Sequence, residues 1–277
     1  MTTISASVVN KLRQMTGAGM MDCKKALQEA DGDIDAAVDV LRKKGAAKAA
    51  KRADRDAVEG LAIAISSSDN TYGIAIEVNC ETDFVAINND FSTFANNLAK
   101  FALDNKIADK DALLASTFEG KVLSELLLEK TSVIGEKIDV SNYALLSSEG
   151  VAAYNHGANR IGVLVALNSN DEAALQAGRD LAMQIAAMNP IAVDETSVSD
   201  EVKEKELEIG RDIARQEGKP EAMLDKIAQG KLQRFYKDNT LMHQSYVKDS
   251  SMTVAAFLKS VNTDLKVKAF ARLQLGA

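Results

Sequence analysis

The sequence predicts an α+β protein with an N-terminal helical bundle, two duplicated subdomains that each combine a small antiparallel sheet with helices, and an inserted helical hairpin. Three observations lead to this prediction. Apolar residues recur at helical spacing at the start of the chain, and a pattern of two strands recurs about 90 residues after its first occurrence. The 277 residues include only 2 prolines, which favours helices. Elements with one apolar face pack against each other in layers.

The first predicted domain, residues 1-55, comprises three short helices and a basic linker. Thr16-Gly17-Ala18-Gly19 and Asp31-Gly32-Asp33 separate the helices, because they supply glycines for left-handed backbone and a capping carboxylate. Gly17-Ala18-Gly19 also resembles a nucleotide-binding turn, but such fingerprints follow a strand and here a helix precedes. Met20 and Met21 begin the second helix. A helix buries one of two adjacent methionines comfortably, so the other is expected to face a partner.

The segment Arg42–Arg55 is strongly basic, with seven basic residues, one acid and a local charge of +6. Two interpretations stay open. The segment could contact RNA or the ribosome, or it could be a solvated helix that links the bundle to the rest of the chain.

The composition narrows the classes of function. The chain has 40 acidic and 33 basic residues, a net charge of −7 and no tryptophan. This charge repels phosphate backbones, so no direct nucleic-acid partner is expected. The longest apolar stretches, such as 161–167, are too short for a membrane helix, and the first five residues lack a signal-peptide pattern. The two cysteines have no CxxC spacing. A cytoplasmic protein without a membrane partner is expected.

A duplication predicts two core subdomains, residues 56-147 and 148-277. Each copy has two apolar runs around a polar turn, then a helical pattern, then an alternating strand. The paired runs lie at 59–65 and 72–78 in the first copy and at 149–154 and 161–167 in the second. The closing strands are predicted at 138–144 and 265–275.

The connection from strand to helix is six residues longer in the first copy, and the extra residues fall around Cys80–Ile87. Connections of this kind run over the surface and expose what they carry. Phe84 is therefore a candidate for contact with a partner. The alternative is that Phe84 packs under the following helix as a core residue.

A second insertion, at about 190-238, predicts an antiparallel coiled-coil arm. One helix over 200–217 ends at Gly218, and Pro220 starts another that runs to about Phe235. The predicted seams are Val202, Ile209 and Ile213 on one helix and Leu224, Ile227 and Phe235 on the other. Narrow apolar seams within a charged surface suit an arm that is available for self-association or for a partner.

The sequence contains no metal-ligand motif and no cofactor motif. Its two histidines and two cysteines form neither paired CxxC motifs nor HExxH. Cys80 and His156 could form a nucleophile pair, but Cys80 ends an apolar strand and is expected to be packed. The acids Glu77 and Glu81 flank that strand without a pocket pattern. The sequence therefore predicts binding surfaces rather than an enzyme, with no cofactor and no metal.

Two strings carry a family resemblance. Thr16–Leu27 (TGAGMMDCKKAL) and Glu77–Ala86 (EVNCETDFVA) resemble the two signatures of the bacterial translation elongation factor Ts family. His156-Gly157 followed by Arg160–Val165 resembles the hairpin in the second copy of that family. The resemblance extends over essentially the whole chain.

The resemblance implies a guanine-nucleotide exchange factor that binds elongation factor Tu, both GDP-bound and nucleotide-free. It also implies that the bundle is ubiquitin-associated-like and that the arm serves dimerisation, so a homodimer is a further expectation. Thr82, Asp83, Phe84 and Val85 fall on the family segment that enters the partner's GTPase domain near its Mg²⁺. Arg13, Met20, Met21 and His156 are the other partner contacts that the resemblance implies.

Overall fold

The computed structural model describes residues 4–277 and has the predicted α+β fold. Residues 1–3, with which the first predicted domain begins, lie outside the described residues. The chain forms two compact units. The first unit comprises the chain up to Ala62, Ile76–Tyr143 and Gln274–Ala277, and the second comprises Ile63–Ala75 and Ala144–Leu273.

The N-terminal helices are α1 (Ala6–Thr16), α2 (Met20–Glu29) and α3 (Ile34–Ala50), as the apolar spacing predicts. Gly17 ends α1 with a φ of 66°, which a glycine adopts without strain. The Asp33 carboxylate caps α3 by accepting a hydrogen bond from the Ala36 backbone N–H. The core of the bundle consists of Val9, Leu12, Cys23, Ala26, Leu27 and Ala37.

The next part of the chain contains five strands and four helices. In order they are β1 (Glu59–Ser66), β2 (Tyr72–Cys80), α4 (Asp83–Ala86), α5 (Asn89–Asp104), α6 (Lys110–Ala115), β3 (Thr117–Phe118), β4 (Lys121–Val122), α7 (Leu123–Ile134) and β5 (Asp139–Ser147). The predicted hairpin, helix and closing strand correspond to β1, β2, α5 and β5. The elements from α6 to α7 are additional to the prediction.

The second copy begins with β6 (Gly150–His156), β7 (Ile161–Leu167) and α8 (Glu172–Met188). The arm follows as α9 (Asp200–Gln216) and α10 (Glu221–Asn239). The chain then forms β8 (Ser245–Tyr246), β9 (Asp249–Thr253), α11 (Val254–Val261) and β10 (Val267–Gln274). Of these last four elements, only β10 corresponds to a predicted element.

The two larger sheets have the same strand order, β1-β2-β5 in the first copy and β6-β7-β10 in the second. In each sheet the second strand of the hairpin is central and the closing strand lies beside it. The β6–β7 pairing is antiparallel and runs from Gly150 opposite Leu167 to His156 opposite Ile161. The repeated order of hairpin, helix and strand is thus confirmed.

A large core cluster joins α8 and α11 to β7 in the second unit, through Leu181, Ile185, Val254, Leu258 and Val165 among others. Met188, the last residue of α8, is exposed. Among residues 4–277, no helix combines the length and the apolarity needed to span a membrane.

The arm is the predicted helical hairpin, and part of its predicted seam is confirmed: Leu224 is buried, and Val202 and Phe235 pack against the buried Leu232 and Tyr236. Gly210 and Ala214 are the buried residues of α9, and the buried residues of α10 are Leu224, Ala228, Leu232 and Tyr236. A Cβ at Gly210 would lie 3.0 Å from Ala228 Cα, so the two helices approach closely there. Ile209 and Ile213, predicted in the seam, are exposed. The helices pack through small residues, which rotates the isoleucines outward.

Candidate functional site

The segment around Phe84 forms one helical turn, α4, instead of an extended loop. The backbone N–H groups of Ala86 and Ile87 donate to the carbonyls of Thr82 and Asp83. Ala86 is buried, whereas Phe84 is 79% exposed and Ile87 is 77% exposed. The alternative that Phe84 is a core residue is therefore wrong. Asp83 is also exposed, so a carboxylate and an aromatic ring are presented side by side.

The Glu136 carboxylate anchors this turn through hydrogen bonds with Thr82. Its two carboxylate oxygens accept hydrogen bonds from the Thr82 backbone N–H, at 3.0 Å, and from the Thr82 hydroxyl, at 2.7 Å. Glu136 follows Gly135, which ends α7 with a φ of 84°. The end of α7 therefore fixes the residue that directly precedes α4.

Glu81 is the centre of a second set of contacts. One carboxylate oxygen accepts two hydrogen bonds of 2.7 Å, from Arg52 Nη1 and from the Lys137 backbone N–H. The other oxygen accepts a hydrogen bond of 3.1 Å from Arg55 Nη1. Burial alone would raise the pKa of the Glu81 carboxyl, but the hydrogen bonds from Lys137, Arg52 and Arg55 outweigh it and lower the pKa to about 2. Glu81 is therefore ionised at neutral pH.

The basic segment is thus neither a purely solvated linker nor a free cationic patch. Its first part continues α3 up to Ala50. Arg52 and Arg55 bind Glu81, and Lys44 pairs with Glu29. Three of the seven basic residues therefore pair with carboxylates, whereas Arg42, Lys43 and Lys51 are exposed, and the interpretation of the segment as an RNA contact stays a prediction.

The bundle presents a second exposed apolar surface, which we call the methionine surface and define as Met15, Met20 and Met21. The prediction that one of the adjacent methionines is buried is wrong, since Met20 is 49% and Met21 is 62% exposed. Arg13 is exposed on α1 as well. A Cβ at Gly17 would lie 3.4 Å from Val133 Cγ1, so the α1–α2 turn lies against the last turn of α7.

Sequence reasoning did not identify Glu136, Val133 and Ile134 near the end of α7. Val133 and Ile134 are exposed apolar side chains, and Glu136 anchors Thr82. Apolar residues that stay exposed at the end of a helix are a recognisable signal, but only after the helix itself has been assigned. In the first unit, the structure therefore brings together α4, the end of α7 and the α1–α2 turn.

His156 lies in the second unit, at the end of β6, and is exposed. Its Nδ1 is 3.0 Å from the Tyr154 hydroxyl. Tyr154 and His156 are two positions apart on β6, so both rings lie on the same face of the strand.

The thiol of Cys80 is fully buried and donates to the Thr82 carbonyl at 3.2 Å. Burial, together with the nearby Glu136 and Glu59 carboxylates, raises the pKa of this thiol to about 12. A thiol with such a pKa is not a thiolate at neutral pH, and the thiolate is the nucleophilic form. The arrangement therefore argues against a cysteine hydrolase.

Within the described part of the chain, no three His, Cys, Asp or Glu side chains are grouped so that they could hold a metal ion. The exposed groups at α4 are apolar surface and a carboxylate. Their chemistry is that of a binding surface that can insert a ring and place a negative charge.

Comparison with known proteins identifies the family. A sequence model of the family described as "Elongation factor TS" matches residues 81–277. The chain is 52% identical over 276 residues to elongation factor Ts of Christiangramia forsetii and 50% identical to that of Flavobacterium psychrophilum, with each comparison covering 100% of both chains. It is 48% identical to elongation factor Ts of Amoebophilus asiaticus, over 99% of both chains. The signatures, the fold and these matches together show that the chain belongs to the elongation factor Ts family.

Proposed function

We propose that this protein is a translation elongation factor of the cytoplasm that binds elongation factor Tu and promotes the release of GDP. One observation supports this proposal most strongly. Phe84 and Asp83 are exposed together on α4, and the Glu136 contacts to Thr82 hold that turn in place. An aromatic side chain that is almost fully exposed, yet carried on an anchored turn, is suited to insertion into a partner.

The strength with which a GTPase binds GDP explains why an exposed aromatic ring and a carboxylate are useful. A GTPase holds its diphosphate through backbone amides, a lysine and Mg²⁺. A nanomolar affinity corresponds to about −12 kcal/mol. An exchange factor weakens this affinity by stabilising a state of the partner in which those contacts are displaced. Linkage requires that GDP weakens the binding of the exchange factor by the same factor.

In this mechanism Phe84 inserts apolar area between elements of the partner, and the half-buried Val85 adds to that apolar surface from the same turn. Asp83 brings a carboxylate near the ligand shell of the partner's Mg²⁺, where a negative charge competes for the cation. Thr82 sets the orientation of the turn through Glu136. No step requires a nucleophile or a proton carrier on this chain, so we propose a binding protein rather than an enzyme.

The methionine surface and Arg13 form the second proposed contact with elongation factor Tu. Flexible thioethers adapt to irregular apolar surfaces, which suits an interface that must form and dissociate in each cycle. His156, at the end of β6, is the proposed contact from the second unit. Its neighbour Tyr154 limits the ring orientations available to it.

We further propose that the arm is an interface for a second copy of the chain. Ile209 and Ile213 lie one helical turn apart on α9 and are exposed, and Met223 is exposed at the start of α10. Deletion of Asp200–Phe235 is expected to change the oligomeric state or the stability more than it changes exchange at high protein concentration. Loss of all exchange from a folded deletion variant would assign the active surface to the arm instead.

The central experiment measures the release of labelled GDP from purified elongation factor Tu with and without this protein. Acceleration of GDP release is expected, and no acceleration at micromolar concentration would contradict the proposal. Asp83→Asn keeps the shape of the side chain and removes its charge. Its effect on exchange should shrink when Mg²⁺ is removed by chelation, because the charge then has no cation to displace.

A further inference from the structure

The carboxylate of Glu81 joins three parts of the first unit that are distant in the chain. Arg52 and Arg55 lie in the segment after α3, 29 and 26 positions before Glu81. Lys137, which follows α7, donates its backbone N–H to the same carboxylate. The side-chain ammonium of Lys137 also donates hydrogen bonds to the backbone carbonyls of Ala53 and Arg55, at 2.8 and 3.1 Å. Glu81 thus connects the end of the bundle, the end of α7 and the start of α4.

The acceptor of this network is shielded from solvent and Arg52 is 29% exposed, whereas Arg55 lies at the surface and is 58% exposed. The Glu81 side chain is only 13% exposed, while both members of the surface pair Lys100–Asp104 are more than half exposed. Charge-assisted hydrogen bonds in such a setting are stronger than those of open surface pairs, which contribute little. The contacts that Glu81 makes with Arg52 and with the Lys137 backbone N–H are therefore a fixed connection, and the Arg55 contact is a surface addition to it.

The helical bundle also packs directly on α7. A Cβ at Gly45 would lie 2.4 Å from Ser132 Oγ, so α3 approaches α7 closely at that glycine. The Gly17 contact with Val133 is at the other edge of the bundle. Beyond Ala50 the chain is no longer helical up to β1, and there the Glu81 network supplies the restraint.

We propose that Glu81 is a positioning residue that, through Arg52 and Arg55, keeps the methionine surface at a fixed distance from Phe84, so that both engage one partner together. The inference rests on the proposed function for the identity of that partner. The physical reason is preorganisation, since two linked contacts that are already correctly spaced lose less entropy on binding.

The first test measures the spacing without any partner. Spin labels are attached through Gln28→Cys on α2 and Asn97→Cys on α5, which are exposed positions, while the native Cys23 and Cys80 are buried. A narrow distance distribution is expected in the otherwise unchanged chain. Glu81→Gln and Arg52→Met should broaden it, and the conservative Arg52→Lys should keep it narrow. Glu149→Gln, which removes the ion pair with Lys268 in the second unit, is the matched control and should have no effect.

The second test measures GDP release from elongation factor Tu as a function of the concentration of each variant. Glu81→Gln should raise the concentration needed for half-maximal exchange by about tenfold, equivalent to about 1.4 kcal/mol. The maximal rate at saturation should stay unchanged, because Phe84 and Asp83 are intact. A purely structural role would lower the fraction of folded protein without changing this concentration dependence per folded molecule.

The outcomes separate the two proposals. An unchanged distance distribution in Glu81→Gln would overturn the positioning role. A broadened distribution with an unchanged half-maximal concentration would overturn the link between spacing and partner binding. If the unchanged protein gave no exchange at all, the proposed function would fail, while the distance measurement would still decide whether Glu81 sets the spacing.

Discussion

Thr82 and Glu136 are 54 positions apart in the chain and are joined at two points, with the Thr82 N–H and hydroxyl each donating to one oxygen of the Glu136 carboxylate. A carboxylate that accepts hydrogen bonds from two donors of one residue fixes the orientation of that residue as well as its position. Because Thr82 directly precedes α4, this contact sets the direction in which Phe84 projects.

The first prediction concerns Phe84. Phe84→Ala should change the free energy of unfolding by no more than about 0.5 kcal/mol, since exposed positions have small effects, while it slows GDP release markedly. Phe91→Ala is the matched control, because Phe91 is buried on α5, and it should cost about 3–5 kcal/mol. Urea unfolding and GDP-release assays measure both effects. A destabilised Phe84→Ala variant with normal exchange per folded molecule would contradict the assignment.

The second prediction concerns the anchor of the turn. Thr82→Val keeps the shape of the side chain and removes the hydroxyl donor, so it should lower the free energy of unfolding by about 1.5–3 kcal/mol, as expected for a hydrogen bond to a charged group. Thr82→Ser keeps the hydroxyl and should retain most of the stability. Chemical denaturation at neutral pH tests both variants. Equal stability of the Val and Ser variants would show that the hydroxyl contact contributes nothing.

The third prediction follows from the pKa of Glu81. The folded-state pKa of about 2 is below the ordinary value of 4.5, so the folded protein binds fewer protons than the unfolded chain over this interval. The stability that the Glu81 carboxylate contributes should be complete above about pH 4.5 and should be lost as the pH falls toward 2. The difference in free energy of unfolding between the unchanged protein and Glu81→Gln should therefore be largest at neutral pH. A difference that stays constant between pH 7 and pH 3 would show that the charge is not its source.

The fourth prediction concerns the seam of the arm. Gly210→Val places a side chain against Ala228, where even a Cβ would lie 3.0 Å from the Ala228 Cα, and should destabilise the hairpin by about 1–3 kcal/mol. Gly230 on α10 has open space around its Cβ position. Gly230→Ala should therefore stabilise the helix, by up to about 1 kcal/mol. Thermal unfolding followed by circular dichroism compares the two variants, and equal melting temperatures would contradict the close approach at Gly210.

Much of the fold could be predicted from the sequence because local patterns determine it. The spacing of apolar residues predicts α1 to α3, α5 and α8, and the alternation around polar turns predicts both hairpins and both closing strands. The segment from α6 to α7 was missed. The helix α7 has 12 residues, but Leu128, Val133 and Ile134 are exposed, so its apolar residues are not confined to one face. The other elements are short, since α6 has six residues and β3 and β4 have two residues each. Elements that short contain too few residues to show a period.

The sequence by itself determined which residues of the candidate site are chemically unusual: an aromatic residue beside a carboxylate in an insertion, and two adjacent methionines at a helix start. The tertiary structure decided which of their side chains stay exposed, and it placed Phe84 and both methionines at the surface. It also decided the partners of Glu81, Glu136 and Gly210. Periodicity and capping act over a few residues, whereas these contacts join residues that only chain folding brings together.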